Sequence, residues 1–343
     1  MSQLISLFCG PGGFDEGFRN AGFTTRLAYD NDIASIITHQ YNHPEANAVQ
    51  ADLSLIGARE IIDEWNRRTP EAPIGVIGGP PCQSFSVSNV HQTDNDPRHR
   101  LPEHYARILR GLNEEFELDF FVFENVPGLV TIKHIEKFAN FKNLFEEAGF
   151  NIFEGSLDSQ HFGVPQMRRR VFVVGLNRNK YPQVQFKFPA GNIGILTTVR
   201  NAIGTLPEPI YFSKNLTRNQ IPFHPNHWCM RPLSHKFSNG TLIPGEVWGR
   251  SFRVLEWDRP SYTVAYGHRE VHVHPSGNRR LSVLEAMLLQ GFTTGYELLG
   301  SLSQQIRLVS EAVSPPVAQA LAREIAEQLN INLNQHILNR AVV

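Results

Sequence analysis

Over its first 180 residues the chain alternates short apolar runs with stretches of helical periodicity. Residues 4–8 (Leu-Ile-Ser-Leu-Phe) read as a strand, closed by the glycine-rich turn Gly10-Pro11-Gly12-Gly13. A second strand over 26–29 ends at Asp30, and a helix follows over 33–41. A third covers 48–52, and a fourth, 74–77, runs into Gly78-Gly79-Pro80-Pro81. Residues 102–115 suit a helix, with Pro102 in its first turn and Ile108, Leu109, Leu112 and Phe116 on one side. The segment 119–123 is almost unbroken apolar, as a strand buried on both faces requires. Strand and helix in repetition predict an α/β fold built on a doubly wound, mostly parallel sheet. Such sheets bind ligands beyond the carboxyl ends of their strands. Gly10, Asp30, Asp52, Cys82 and Glu124 all fall at those ends.

From about residue 187 the pattern changes: Pro, Gly, Asn and His become frequent, and helical periodicity fades until about 282. It returns over 283–290 and 316–329. The expected organisation is one domain from 1–186 plus 283–343, and a smaller one of short strands and loops over 187–282. Charge sharpens that division. Residues 161–260 carry 14 Lys and Arg against 4 Asp and Glu; the rest of the chain carries 18 against 29. A net charge of −1 therefore hides a basic third, which reads as a solvated face or as a phosphate-binding lobe, the asymmetry favouring the lobe. Three cysteines without metal-ligand spacing fit a reducing, cytoplasmic compartment. No run of roughly 18 apolar residues crosses a bilayer, and no leader peptide is read at the start.

Four segments carry chemistry. Gly10-x-Gly12-Gly13 lets the backbone approach a ligand and opens a helix N-terminus, though it lacks the full dinucleotide spacing. Asp30 is placed either to accept from ribose hydroxyls or to cap the next helix. Cys82 stands in a rigid Gly/Pro loop at a strand's end. A lone cysteine is commonly inert filling; this frame favours a nucleophile. Glu124, at the mouth of an apolar strand, reads as a desolvated proton donor or as a carboxylate held by backbone amides. Gln166, Arg168 and Arg170 alternate on one face if the strand over 171–175 extends back through them. Two guanidiniums there would hold an anion or form a solvated basic edge.

Taken in order, Phe8-Cys9-Gly10-Pro11-Gly12-Gly13, Gly79-Pro80-Pro81-Cys82-Gln83-Ser84-Phe85-Ser86, Glu124-Asn125-Val126 and Gln166-x-Arg168-x-Arg170 resemble the motifs of the DNA (cytosine-5-)-methyltransferase family, of the prokaryotic restriction-modification type. Arg259-Pro260-Ser261-Tyr262-Thr263-Val264 and the stretch from Leu281 to Phe292 resemble its later blocks. The resemblance spans nearly the whole chain. It implies a Rossmann-like sheet using S-adenosyl-L-methionine, with a target-recognition domain. The reaction it implies is methylation of carbon 5 of a cytosine flipped out of double-stranded DNA.

On that resemblance, Phe8, Gly10, Gly12, Asp30, Asn31, Asp52, Pro80 and Leu101 would surround the cofactor, with Asn31 beside the adenine. Cys82 would be the nucleophile and Glu124 the acid at ring nitrogen 3, while Arg168 and Arg170 line the base pocket. Gln83, Ser84 and Ser86 would belong to a loop closing over the base, and Gln166 would also meet substrate. Recognition would fall to about 190–258, where Trp228, Arg231, Arg250 and Arg253 could reach bases or phosphates; packing is the other reading of Trp228. His224, His227 and Cys229 cluster within six residues, but no second cluster completes a zinc site, so no metal is expected. A monomer is expected, and a companion restriction endonuclease is compatible with the resemblance.

One departure stands out. The family usually has Gly-Asn before x-Val near its end, and this chain reads Ser310-Glu311-Ala312-Val313. That block helps close the cofactor site, so contacts there are expected to differ. Against these expectations stand a nicotinamide oxidoreductase, which leaves Cys82 and Glu124 idle, an enzyme acting on RNA cytosine, and a non-catalytic DNA-binding regulator of the same fold.

Overall fold

The computed structural model describes residues 2–80, 100–194, 196–248, 252–263 and 271–333. Cys82, Gln83, Ser84, Ser86 and Arg250 lie outside them. The first half alternates strands and helices: β1 (Gln3–Leu7), α1 (Gly13–Ala21), β2 (Thr24–Asp30), α2 (Ile33–Asn42), β3 (Asn47–Gln50), α3 (Ala58–Asn66), β4 (Gly75–Gly78), α4 (Leu101–Phe116) and β5 (Phe120–Asn125). Then come α5 (Ile135–Glu147), β6 (Phe150–Asp158), β7 (Gln166–Met167) and β8 (Arg169–Asn177). Seven of these strands form one sheet in the order β3-β2-β1-β4-β5-β8-β6. Strands β1 to β5 pair in parallel. Only β8 runs against its neighbours β5 and β6.

Alternation of side chains across the strands feeds two cores, one on each face. In β5, Phe121 and Phe123 join Trp65, Tyr105, Leu109 and Phe145 of α3, α4 and α5. Phe120 and Val122 turn the other way, to Phe14 and Phe18 of α1. The same core includes Val317, Ala318, Leu321 and Ile325 of α9 (Pro315–Gln328). α1 lies close on α9 because Gly17 has no side chain: a Cβ there would fall 2.4 Å from Ala318 Cβ and from the Pro315 carbonyl.

The region from 187 to 282 is, as expected, made of short pieces: α6 (Val199–Ile203), β9 (Ile210–Tyr211), β10 (Trp228–Cys229), β11 (Val247–Trp248), β12 (Phe252–Val254), β13 (Ser261–Tyr262) and β14 (Val271–Val273). Two-stranded β9–β10 and three-stranded β11–β12–β14 sheets organise it. It owns a small cluster of its own, Phe237, Leu242, Val254 and Val273 with Phe252 packed against them. Val199, Ile203, Trp228 and Leu255 pack into one cluster with Met287 of α7 (Val283–Leu289) and Leu308 of α8 (Leu302–Glu311), so apolar packing runs straight across residue 282. β13 also pairs with β7, tying the two parts by backbone. Among the described residues no helix is long and apolar enough to cross a membrane.

Candidate active site

The sheet order reverses between β1 and β4, and the loops leaving those strands carry the site. After β1 the backbone enters the left-handed region at Phe8 (φ 55°) and Gly10 (φ 55°). That path is held by β2: Cys9 N donates to the Tyr29 carbonyl (2.9 Å), and Gly10 N donates to Asp30 Oδ2 (3.0 Å). The other oxygen of Asp30 accepts from Asp32 N (2.9 Å). Burial nevertheless raises the Asp30 pKa, outweighing these two bonds. Helix capping falls to Asp32 instead, which accepts from Ser35 N (3.0 Å) and Ser35 Oγ (3.1 Å). Asp30 thus keeps lone pairs for a hydroxyl ligand.

A cavity of about 450 Å³ opens over these strand ends. Its wall includes Phe8, Gly10, Asp30, Asn31, Asp52, Pro80 and Leu101, all expected from the sequence to gather around one ligand. Gly12 is the exception. It precedes α1 at φ 93°, and a Cβ there would meet the Tyr296 hydroxyl at 2.6 Å and His43 Nε2 at 2.9 Å. Glycine at that place serves packing of the loop, whose Pro11 carbonyl accepts from the Tyr296 hydroxyl. The sequence reading missed Asp32, Ser35 and Arg307 as wall residues, and expected the block with Ser310 and Glu311 to help close the site, where both stand. The departure at Ser310-Glu311 was the one signal that pointed at the last two.

Glu124 closes the far end of the wall. On β5 it stands opposite Phe172 of antiparallel β8, and Arg170 Nε lies 3.0 Å from its Oε1. Burial raises the Glu124 pKa, against the lowering pull of Arg170 and then Arg168. Gly79 lets the neighbouring loop pass: a Cβ there would fall 2.8 Å from the Glu124 carbonyl and 2.9 Å from Oε2. The chain leaves the described residues at Pro80, on this same wall, two residues before Cys82. Cys9 and Cys229 are buried, and burial raises both thiols, Cys229 to about 12. Neither is suited to form a thiolate.

The single strand face expected for Gln166, Arg168 and Arg170 is not what forms. Pairing to β13 makes β7 a separate strand, and the ladder breaks at Arg168, whose carbonyl accepts from Ser159 N (2.9 Å). Gln166 is fully buried, its Nε2 donating to Gln290 Oε1 (2.8 Å) and the Leu289 carbonyl (3.2 Å). Arg168 reaches the cavity wall but also clamps α8's end, donating to the carbonyls of Ser310 (3.1 Å) and Ala312 (3.0 Å).

In the basic region, Trp228 is interior and donates from Nε1 to Gln305 Oε1 (2.8 Å). Arg231 is exposed over the Tyr211 ring, and half-buried Arg253 lies over Tyr262. His227 is bonded to Ser282 Oγ (3.0 Å) and the Pro207 carbonyl (2.7 Å), and His224 Nδ1 accepts from Asn226 N (3.0 Å). Both are packing residues of the loop they share.

Comparison with known proteins gives a consistent picture. Residues 2–327 match the family model for C-5 cytosine-specific DNA methylase. The chain is 32% identical to Type II methyltransferase M.MthTI of Methanothermobacter thermautotrophicus, covering 97% of this chain and 99% of the relative. It is 30% identical to Type II methyltransferase M.FnuDI of Fusobacterium nucleatum, covering 95% of each. Among solved structures, a protein described as a DNA modification methyltransferase encoded within an E. coli prophage superposes with a TM-score of 0.79 at 25% identity, over 96% of this chain and all of that one.

Proposed function

The chain belongs to the C-5 cytosine-specific DNA methylase family, and from that premise we propose that it moves a methyl group from S-adenosylmethionine to carbon 5 of a cytosine turned out of double-stranded DNA, through a covalent bond to Cys82. The observation that carries this reading is the Glu124–Arg170 pair on a cavity wall shared with Asp30 and with Pro80, where the chain leads toward Cys82.

The residues present suit the cofactor. Carboxylates of Asp30 and Asp52 match ribose hydroxyls, and Phe8, Leu53 and Leu101 offer apolar surface to a flat base, in a volume of the size small-ligand sites occupy. Bound there, S-adenosylmethionine supplies the methyl as an electrophile on sulfur. The remaining chemistry belongs to the chain. Carbon 5 of cytosine is a poor nucleophile until a thiolate adds at carbon 6. Cys82 makes that bond while Glu124, whose pKa burial raises, gives its proton to ring nitrogen 3. Arg170 holds the Glu124 carboxyl in place and steadies it once ionised. Loss of the carbon 5 proton after methylation expels the sulfur and restores the ring. The base reaches these groups only by leaving the duplex, at a cost of a few kcal/mol.

We assign DNA contact to the basic region, with exposed Arg231 as a phosphate partner and Arg253 beside it in role. Gln166 and Trp228, spent on interior bonds, support those contacts from behind. A duplex carrying 5-fluorocytosine in its target, incubated with cofactor, tests the covalent step. The fluorine cannot leave as a proton does, so a denaturation-stable adduct should accumulate with the native protein and not with Cys82→Ser. Turnover without any trapped adduct would overturn the mechanism, and label from tritiated cofactor appearing on RNA alone would overturn the substrate.

A further inference from the structure

The glycine loop over the cavity is tied at three backbone atoms, and one tie comes from far along the chain. Gly10 N donates to Asp30, and Gly12 N to the Cys9 carbonyl (3.1 Å). The third atom is the Pro11 carbonyl, which accepts from the hydroxyl of Tyr296, 285 residues away. These last two bonds grip opposite ends of one peptide, the oxygen of Pro11 and the amide of Gly12. That peptide lies between two glycines in the left-handed region, Gly10 at φ 55° and Gly12 at φ 93°. Glycine tolerates many backbone conformations, so the loop has little stiffness of its own. Gly12, the residue ahead of α1, also offers no side-chain cap to fix the turn.

Tyr296 is fixed in both proton and position. It is 2% exposed, and burial raises its pKa well above a phenol's ordinary value, helped by the Glu16 and Asp15 carboxylates. The hydroxyl therefore stays a donor. A carbonyl only accepts, so that proton is committed to Pro11, and His43 Nε2, 3.3 Å from the phenol oxygen, donates to it. The Tyr296 ring packs on Phe292 (centroids 4.8 Å), and His43 rests on His39 (4.7 Å). Gly10 lines the main cavity and Pro11 a smaller space of about 50 Å³ beside it; Tyr296 is on neither wall. It acts on a ligand only through the loop.

Resting on the cofactor reading above, we propose that Tyr296 is a positioning residue for S-adenosylmethionine: by holding the Pro11 carbonyl it keeps the Gly10–Gly12 turn in the shape the cofactor meets. Without the hydroxyl, binding has to order that turn itself. The loss falls on cofactor affinity, while Glu124, on β5, is left as it was.

Tyr296→Phe keeps the ring and deletes the bond. Titration calorimetry should show S-adenosylmethionine binding about fivefold more weakly, as the loss of one neutral buried hydrogen bond implies. The KM for the cofactor should rise in step, with kcat at saturating cofactor and the KM for DNA unchanged. Leu298→Ala, an apolar truncation in the same cluster, is the comparison: it should lower stability in denaturant unfolding and leave cofactor affinity near native. Equal weakening in both variants would make Tyr296 ordinary packing and overturn the proposal. So would unchanged affinity in Tyr296→Phe, or a fall in its kcat at saturation. Should Tyr296→Phe fold poorly, His43→Phe, which strips the donor from behind the hydroxyl, carries the same expectation and the same refutation. A native protein that bound no S-adenosylmethionine would remove the cofactor reading first, and this proposal with it.

Discussion

Glu124 has two opposing influences on its proton. Burial holds the pKa up, and Arg170 at 3.0 Å pulls it down. In the proposed role Glu124 works only while protonated, so turnover should decline as pH rises through that pKa. Arg170→Gln removes the larger lowering influence and leaves that of Arg168, and the basic limb of kcat/KM for DNA should then move to higher pH. A limb that stays in place would mean another group sets it. Glu124→Gln, which cannot donate, should cost about 10²–10⁴-fold in kcat with DNA binding retained. The placement of Asp30, Asp52, Pro80 and Glu124 around one cavity was legible in the sequence, because they sit where parallel strands deliver them. The packing roles of Gly12 and Gln166 were not, and for Trp228 packing stood as one of two readings. Each is decided by a partner distant in the chain: Tyr296 for Gly12, Gln290 for Gln166 and Gln305 for Trp228. No local pattern announces such a partner.

Among the elements, the strands and their mostly parallel course were easy to read, and the one reversed strand was not. Apolar runs mark β1, β4 and β5, but nothing in 169–177 says that β8 runs backwards between β5 and β6, which is what faces Arg170 toward Glu124. The helices α3, α5 and α8 also escaped notice; without α8, one wall of the cavity was invisible. Two glycines show how differently elements can matter. Gly79→Ala places a methyl 2.8 Å from the Glu124 carbonyl and 2.9 Å from its carboxylate. It should reduce kcat by more than tenfold while costing about 1–3 kcal/mol in stability. Gly17→Ala drives a methyl into Ala318 between α1 and α9. A similar stability loss is expected, with kcat near normal in the protein that remains folded. Denaturant unfolding beside steady-state rates on both variants would expose any failure of this separation.

For the molecule as a whole, charge is divided rather than large. The basic stretch 161–260 belongs to a chain of net charge −1, so DNA affinity should fall steeply with salt despite a near-neutral protein. Arg231→Ala should flatten the slope of log K against log salt by about 1 if that side chain meets a phosphate. An unchanged slope would place Arg231 off the DNA. The expected boundary near 282 followed composition, whereas apolar packing joins Trp228 and Leu255 to α7 and α8, and the region's own cluster around Phe237 and Val254 is small.

The packing of α1 on α9 has a consequence for when the enzyme becomes active. The glycine loop that opens the cavity is made within the first fifteen residues, yet the helix behind it rests on a partner ending at Gln328. Residue 311, on the opposite wall, also arrives late. During translation a nascent chain therefore carries β1 to β5, Pro80 and Glu124 long before the helices that complete the cavity wall are made. A fragment that stops before α8 should lack one side of the cavity wall.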